Sequence, residues 1–366
     1  MNHNADKITD RNAIKEIFEE RLPLLEVFVK IKDVSLPVES FKYENDCVTI
    51  SIHQHGIVTD NVIIYARNNE TIIASHASLK MKKDDNTYVF EPSDVIIFDV
   101  NRKEERCIVE NRNINTATAP IYISNIISDF LINESFTASR KRVDFIKEVI
   151  MEKISLDNIL IKITLLNELH NDERMKFFMT ERKSYFFKNL KDVSDSEKLK
   201  TDPDLKRYAL SIYPSDPTLE DMKIISEISV PLLYKFMLPF GYIKAVSKSE
   251  LTDNDFTVIR KFGMSVSTLF TNDKSLIKNS DEKITVIDLS NHGLGIVFKD
   301  KRMIKHFKDN CLIVFTVFLP EEKQATMLCV VRNISLIRNF IYRVGCEILN
   351  IESIGEVNYS EYLERL

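Results

Sequence analysis

The chain has 366 residues, enough for two or three domains, and its 44% hydrophobic and 29% charged residues are ordinary for a soluble globular protein. The net charge of −5 gives no general attraction to nucleic acid or to an anionic membrane. No run of about 18 apolar residues is present, so membrane insertion is not expected. Five scattered cysteines and a polar N-terminus without a secretory signal favour reduced thiols in the cytoplasm over disulfides or a zinc site.

The N-terminal third predicts one helix followed by a small β-domain. Apolar residues at helical spacing predict a helix over 10–31, within an N-terminal segment 1–33, with a kink or interruption at Pro23. From 34 to 112, short alternating runs separated by Asn- and Asp-rich turns predict an antiparallel β-domain. This domain ends in the sequence Arg102-Lys103-Glu104-Glu105-Arg106.

The middle of the chain, from 137 to 275, predicts a mixture of helices and strands. Two apolar runs, 228–233 and 240–246, predict a pair of strands. Thr252 is a predicted N-cap for a helix that continues to Leu269 with apolar residues facing inward. The predicted linkers on either side are 113–138 and 271–282.

The last third predicts a β-domain over 277–356 and a short helix over 357–366. Predicted strands are 283–289, 294–298, 311–319, 325–335 and 340–349. Its first two strands flank a polar turn with the pattern Asp288-x-Ser290-x-x-Gly293. The whole chain has only seven glycines, and six of them lie beyond residue 240, so positions that need positive φ or close backbone approach are concentrated here.

Three sequences in this region resemble PilZ domains, the six-stranded β-barrels through which many bacteria sense cyclic di-GMP. They are Asp288-x-Ser290-x-x-Gly293, then Val330-Val331-Arg332, then Arg343-Val344-Gly345-Cys346-Glu347-Ile348. The middle region resembles the C-terminal half of GAF domains. The resemblance rests on the strand pair, the sequence Leu251-Thr252-x-x-Asp255 and the helix that follows. The implied fold class is α+β multidomain, with an N-terminal antiparallel β-domain, a central GAF-like α/β domain and a C-terminal PilZ barrel.

The PilZ resemblance also implies a ligand site. Arg102 and Arg106 form the Arg-x-x-x-Arg pattern whose guanidinium groups grip phosphates and stack on guanine. Asp288 would accept from guanine N–H groups, Ser290 would donate to a phosphate or base, and Gly293 would allow close approach of the ligand. In flagellar-brake-type receptors a β-domain, Arg-x-x-x-Arg and the barrel follow one another directly. Here 182 residues (288 − 106) separate the two parts of the site, as in PilZ-containing proteins of spirochaetes that have a GAF-like middle.

The predicted function is that of a bacterial cyclic di-GMP receptor, in which binding changes the domain arrangement and regulates a protein partner. No catalytic signature, metal site or cofactor is indicated, and no nucleic-acid partner is expected. A simpler interpretation takes Asp288 and Ser290 as a structural turn, and Arg102 and Arg106 as a solvated surface. Two alternative functions therefore stay open: a PilZ-fold scaffold that binds no nucleotide, and a GAF-based sensor of another small ligand.

Overall fold

The chain divides into two compact units in this computed structural model. Unit 1 comprises Met1–Ser124, Lys283–Cys311 and Thr316–Leu366, and unit 2 comprises Asn125–Glu282 and Leu312–Phe315. The structure describes residues 5–31, 34–52, 59–67, 71–99, 107–109, 121–152, 154, 156, 158–168, 172–190, 203–213, 223–337 and 340–366. Every structural statement below refers to these residues.

The elements are numbered in chain order. The strands are β1 (Ala5–Ile8), β2 (Val27–Ile31), β3 (Val34–Glu44), β4 (Cys47–Ile52), β5 (Asn61–Arg67), β6 (Thr71–Lys82), β7 (Thr87–Pro92), β8 (Val95–Asp99), β9 (Cys107–Ile108), β10 (Tyr122–Ser128), β11 (Ile159–Leu165), β12 (Tyr185–Phe187), β13 (Ser226–Tyr234), β14 (Leu238–Ser247), β15 (Ile284–Ser290), β16 (Gly293–Phe298), β17 (Leu312–Phe318), β18 (Gln324–Ile337) and β19 (Ile341–Ile351). The α-helices are α1 (Arg11–Glu16), α2 (Asp129–Ala138), α3 (Arg140–Glu152), α4 (Glu173–Glu181), α5 (Pro203–Ile212), α6 (Asp253–Asn272) and α7 (Ser353–Leu363).

The N-terminal strands close into a six-stranded antiparallel ring. Its order is β6-β5-β2-β3-β4-β7 and back to β6, while β8 pairs with the first part of β6 and β1 pairs with β8. Alternation of side chains explains why these segments form strands: Val48, Ile50 and Ile52 on β4 are fully or almost fully buried, whereas the residues between them are partly exposed. The predicted antiparallel β-domain is therefore present, as a closed ring.

The helix predicted over 10–31 ends earlier than expected. Asp10 caps α1, a π-helical turn and a 3₁₀ turn carry the chain to Leu24, and residues 27–31 form β2. Pro23 lies in the 3₁₀ turn, and the lack of a proline N–H disfavours continuation of an α-helix. After it, Val27, Val29 and Ile31 alternate inward with the period of a strand, so the spacing that suggested a helix belongs to two different elements.

The C-terminal strands form a second six-stranded barrel, in the order β18-β17-β10-β15-β16-β19 and back to β18. Five of these strands were predicted within 277–356. The sixth, β10, lies inside the segment 113–138 that was predicted as a linker, and α2 begins there as well. Asn125 interrupts the alternation of β10 with a positive φ of 55°, which explains why the sequence pattern does not reveal this strand. Chain 129–282 is thus inserted after the first strand of the barrel.

Unit 2 contains a four-stranded antiparallel sheet in the order β11-β14-β13-β12. The predicted strand pair is confirmed as β13 and β14, and Thr252 caps α6 in a reciprocal capping box with Asp255. Gly263 brings α6 close to the sheet, because a Cβ there would lie 2.7 Å from the Val230 Cγ1 atom. Leu269, predicted to face inward, is exposed, and Phe270 is buried instead. The GAF-like identity of this unit stays a prediction.

A buried histidine makes the stability of unit 1 depend on pH. His306 ends the 3₁₀ helix Lys301–His306, is only 6% exposed, and within the described residues neither ring nitrogen has a hydrogen-bond partner. Burial, reinforced by the charge of Lys305, lowers the pKa of His306 from 6.5 to about 4. Between these values the unfolded chain binds a proton that the folded chain does not. Stability is therefore complete above pH 6.5 and falls as the pH decreases towards 4, by about 3 kcal/mol.

Urea unfolding of the parent chain and of His306→Leu, at pH 7.5 and pH 4.5, measures this contribution. The difference in free energy of unfolding between the two pH values is expected to be smaller in the variant. An equal difference in both proteins would contradict the assignment.

Candidate functional site

Two β-bulges turn polar side chains towards the outer wall of the C-terminal barrel. In β15 the register shifts between Val286 and Asp288, and in β18 it shifts between Val331 and Asn333. Val286 and Val331 are fully buried. In a regular strand, Asp288 and Asn333 would face the barrel interior like Val286 and Val331, which lie two residues before them. The extra residue at each bulge turns them to the opposite face. Asp288 and Asn333 consequently lie on the outer face.

Two glycines lie between these polar residues. Asp288 pairs with Gly295, Gly295 with Gly345, and Gly345 with Asn333, so one row crosses β15, β16, β19 and β18. A Cβ on Gly295 would lie 2.3 Å from the Asp288 Oδ2 atom, and one on Gly345 would lie 2.6 Å from the Asn333 Oδ1 atom. Any larger residue would displace these groups, so both glycines are required for the carboxylate and the amide to lie flat on the barrel wall.

The Asp288 carboxylate is held in place by an ion pair with Arg343 on β19. Its Oδ2 atom lies 3.0 Å from Arg343 Nη2, and its side chain is 7% exposed while that of Arg343 is 46% exposed. Asn333 Oδ1 accepts a hydrogen bond of 3.0 Å from the backbone N–H of Gly345. We call Asp288, Gly295, Arg343, Gly345 and Asn333 the polar platform.

The turn beside the platform is held by hydrogen bonds of its own. Ser290 Oγ donates to the carbonyl of Gly293 across the turn at 3.2 Å, and both residues are buried. Tyr359 on α7 donates from its hydroxyl to the carbonyl of Ser290 at 2.9 Å. Both contacts stabilise the turn without a ligand, which agrees with the structural interpretation of Ser290.

The short strand β9 pairs with the other edge of β15. Cys107 is opposite Leu289, Ile108 is opposite Asp288, and Val109 N donates to the carbonyl of Ile287 at 2.9 Å. Arg102 and Arg106 lie outside the described residues, but Cys107 is the residue that follows Arg106 in the sequence. The chain that leaves the Arg-x-x-x-Arg motif therefore joins the barrel at Asp288, despite the long sequence separation.

A series of polar contacts leads from the turn along the barrel. Glu347 is paired in register with Gly293 and accepts from Arg332 Nε at 2.6 Å. Arg332 also donates through Nη1 to Asn310 Oδ1 at 3.3 Å. Both Arg332 and Glu347 are partly exposed, so these bonds are easily rearranged.

The same series reaches the N-terminal ring. Asp309, the neighbour of Asn310, forms an ion pair with Lys30 on β2. Ser35 on β3 and Ser335 on β18, both in unit 1, form a parallel bridge between the N-terminal ring and the C-terminal barrel. The turn between Ser290 and Gly293 and the N-terminal ring are thus linked by contacts between residues of unit 1.

The platform is suited to a planar ligand that carries N–H donors. A carboxylate accepts up to about four hydrogen bonds, and a guanidinium donates in a fixed plane. The Watson–Crick edge of guanine offers adjacent N–H donors that match such a carboxylate, and its O6 and N7 atoms match an arginine. The platform therefore offers acceptor and donor groups of the types that pair with a nucleobase edge.

Sequence reasoning singled out Asp288, Ser290 and Gly293, and the structure places all three at one end of β15 and β16. It did not assign roles to Gly295, Gly345 and Asn333. For Gly295 and Gly345 the available signal was the scarcity of glycine, because in a chain with few glycines each one indicates a position where the backbone must approach another group closely. Asn333 had no signal, since only the bulge in β18 turns it outward.

Other site classes find no support in the part of the chain that is described. No group of three or more His, Cys, Asp or Glu residues is arranged to hold a metal ion there. None of the described helices has the length and apolar character needed to cross a bilayer.

Comparison with known proteins gives similarity to solved structures alone. No family model matches the chain, and no curated protein matches it. MrkH of K. pneumonia in complex with c-di-GMP aligns with 98% of this chain and 95% of its own, at 10% identity and a TM-score of 0.33. YcgR of Escherichia coli in complex with c-di-GMP aligns with 98% and 91%, at 7% identity and a TM-score of 0.32.

The inhibitor of motility MotI/DgrA of Bacillus subtilis aligns with 93% of this chain and 95% of its own, at 9% identity and a TM-score of 0.22. TM-scores of this size do not establish a common fold, so the residues of this chain must support any assignment.

Proposed function

We propose that this protein is a PilZ-type receptor for cyclic di-GMP that acts in the bacterial cytoplasm and regulates a protein partner without catalysing a reaction. The observation that carries the proposal is the pairing of Cys107 and Ile108 with Leu289 and Asp288. It supports a composite site in which the Arg-x-x-x-Arg motif and the turn meet, although an inserted unit separates them in sequence.

Each part of the proposed site has a chemical role. Arg102 and Arg106 grip the phosphates in a fork and stack on a guanine face, as guanidinium groups do. Asp288 accepts from the N–H groups of one guanine. Arg343, which already orients Asp288, donates to the same base, and Asn333 offers an amide at the far end of the platform.

Isothermal titration with cyclic di-GMP tests the composite site. Arg102→Ala and Arg106→Ala are each expected to lower the affinity tenfold or more, since a bidentate arginine contact contributes ~1–3 kcal/mol. Lys103→Ala removes a cation from the same run and is expected to change the affinity less than threefold. Absence of binding to the parent chain, or equal losses in all three variants, would contradict the proposal.

The nucleotide-independent scaffold stays the second candidate, because the turn is stabilised by Ser290 and Tyr359 without a ligand. It predicts no heat of binding and no thermal shift with cyclic di-GMP. The same titration therefore separates the two candidates.

For regulation, we propose that ligand binding at the turn is transmitted to the N-terminal ring through Glu347, Arg332, Asn310, Asp309 and Lys30. A bound phosphate near Arg332 would compete with Glu347 for the guanidinium group. Release of this bond changes the support of Asn310 and the adjacent Asp309. The Lys30 ion pair would then shift, and with it the arrangement of the two barrels.

Hydrogen exchange measures this coupling. Cyclic di-GMP is expected to change the exchange rates of the β2 amides in the parent chain several-fold. Arg332→Ala is expected to retain binding within about tenfold and to abolish the change in β2. Arg302→Ala, which removes an exposed arginine paired with Asp300, serves as the control. Equal responses in both variants would exclude this route.

A further inference from the structure

The outer wall of the N-terminal ring contains a cavity that shares only Lys30 with the proposed route of regulation. It has a volume of about 470 Å³, within the range of small-molecule sites. Strands β2, β5 and β6 form its wall, because Lys30 is paired with Ile63 and Ile63 with His76. Directly opposed residues share one face of a sheet, so the ammonium and imidazole groups flank the same surface.

The lining of the cavity combines hydrogen-bond donors with an apolar floor. Lys30, Asn61, His76, Ser78 and Ser93 supply one ammonium, one imidazole, one amide and two hydroxyl groups. The apolar surface on this face is the Ile63 side chain, whereas Val62 and Ala77 contribute backbone, because their buried side chains point to the inside of the ring. None of these lining residues carries a carboxylate. The lining therefore favours a ligand with a negative charge and an apolar part.

His76 is oriented by a carboxylate behind it. The His76 Nδ1 atom lies 2.9 Å and 3.2 Å from the two oxygens of Asp94, whose side chain is only 8% exposed. Asp94 also accepts from the backbone N–H of His76 at 3.1 Å and pairs with Lys7 at 3.1 Å. Because the Asp94 carboxylate accepts from Nδ1–H, the Nε2 atom donates to an anionic ligand when the ring is in its doubly protonated, imidazolium form. The charge of Asp94 is balanced by Lys7, which limits its repulsion of an anion.

Lys30 is held in place at the other side of the cavity. Its ammonium group pairs with Asp309, and its side chain is 26% exposed. An ammonium has three donors, so contact with Asp309 leaves capacity for a second acceptor. Charge and direction are both defined before any ligand arrives, which reduces the entropy cost of binding.

We propose that this cavity binds a small organic anion, in which a phosphate or carboxylate group contacts Lys30 and the His76 imidazolium and an apolar body lies on the Ile63 side chain. The inference does not depend on cyclic di-GMP binding at the polar platform of the other barrel.

Nuclear magnetic resonance of the full chain, labelled in the histidine rings, tests this site. Phenyl phosphate, benzoate and inorganic phosphate are titrated separately, so that the anionic group and the apolar body are distinguished. Saturable shifts of the His76 ring are expected, with phenyl phosphate or benzoate binding at least tenfold more tightly than inorganic phosphate. Equal binding of inorganic phosphate would overturn the apolar part of the proposal.

Two lysine variants provide the matched comparison. Lys30→Gln is expected to weaken binding of the tighter probe at least tenfold. Lys42→Gln, which removes an exposed lysine of the same ring that pairs with Glu44, is expected to leave it unchanged. No saturable shift up to tens of millimolar, or equal binding in both variants, would overturn the proposal. Retained His76 shifts in a chain that does not bind cyclic di-GMP would separate the two sites.

Discussion

Replacement of Asp288 by alanine is expected to lower the affinity for cyclic di-GMP at least 100-fold. In the proposed complex this carboxylate accepts two hydrogen bonds from a guanine edge. Each hydrogen bond to a charged group contributes ~1.5–3 kcal/mol, so loss of two corresponds to at least about 3 kcal/mol. The bulge in β15 turns the carboxylate to this position, and Gly295 leaves room for it.

The stability of the barrel should change little in this variant. Arg343 is about half exposed and regains water when its partner is removed, so the lost ion pair costs less than about 1 kcal/mol. Titration calorimetry gives the affinity, and thermal unfolding gives the stability. Asp300→Ala removes an aspartate paired with Arg302 elsewhere in the barrel region and is expected to bind normally. Unchanged affinity in Asp288→Ala would exclude the platform as the guanine site.

Removal of Arg174 is expected to have the largest effect on stability, a loss of about 3–5 kcal/mol in unit 2. Arg174 Nη2 lies 3.0 Å and 2.9 Å from the two oxygens of Glu227, and the side chains are 7% and 1% exposed. Tyr208 and Ser229 also donate to Glu227. Burial, reinforced by the charge of Glu227, raises the pKa of Tyr208, which keeps this hydroxyl protonated as a donor. Without Arg174, the Glu227 carboxylate would be buried without its cation.

Urea unfolding of Arg174→Ala measures this loss. Arg207→Ala is the control, because Arg207 forms ion pairs with Glu181 and Asp204 at 54% exposure and should contribute less than about 1 kcal/mol. The double variant Arg174→Met with Glu227→Leu is expected to recover part of the stability, since both charges are then absent but the Tyr208 and Ser229 hydroxyls lose their acceptor. Equal losses for Arg174→Ala and Arg207→Ala would show that the buried pair is not a main source of stability.

Local patterns predicted many elements closely. The alternating runs predicted within 34–112 include residues 47–52, which form β4, and Thr252 begins α6 as its capping pattern indicates. These elements depend on side-chain alternation and on capping within a few residues. Where two such patterns met, as on either side of Pro23, a strand was mistaken for the continuation of a helix.

The candidate site was predictable only in part. Asp288, Ser290 and Gly293 form a compact motif, and their placement at one turn follows from the short loop between two strands. The direction of Asp288 does not follow, because simple alternation from Val286 would point it into the core. A one-residue bulge in β15 reverses the direction of the Asp288 side chain, and no residue type in the sequence indicates that bulge.

By itself, the sequence determined the alternating strands, the capped helix, the polar turn and the residue types available for phosphate and guanine recognition. Only the tertiary structure decided that β10, which precedes the inserted residues 129–282, is the sixth strand of the barrel. It also decided that β9, which begins directly after Arg106, lies beside Asp288. It also decided that Gly295, Gly345 and Asn333 belong to the same row. The physical reason is that strand pairing and register depend on backbone contacts between residues far apart in sequence, which local periodicity does not encode.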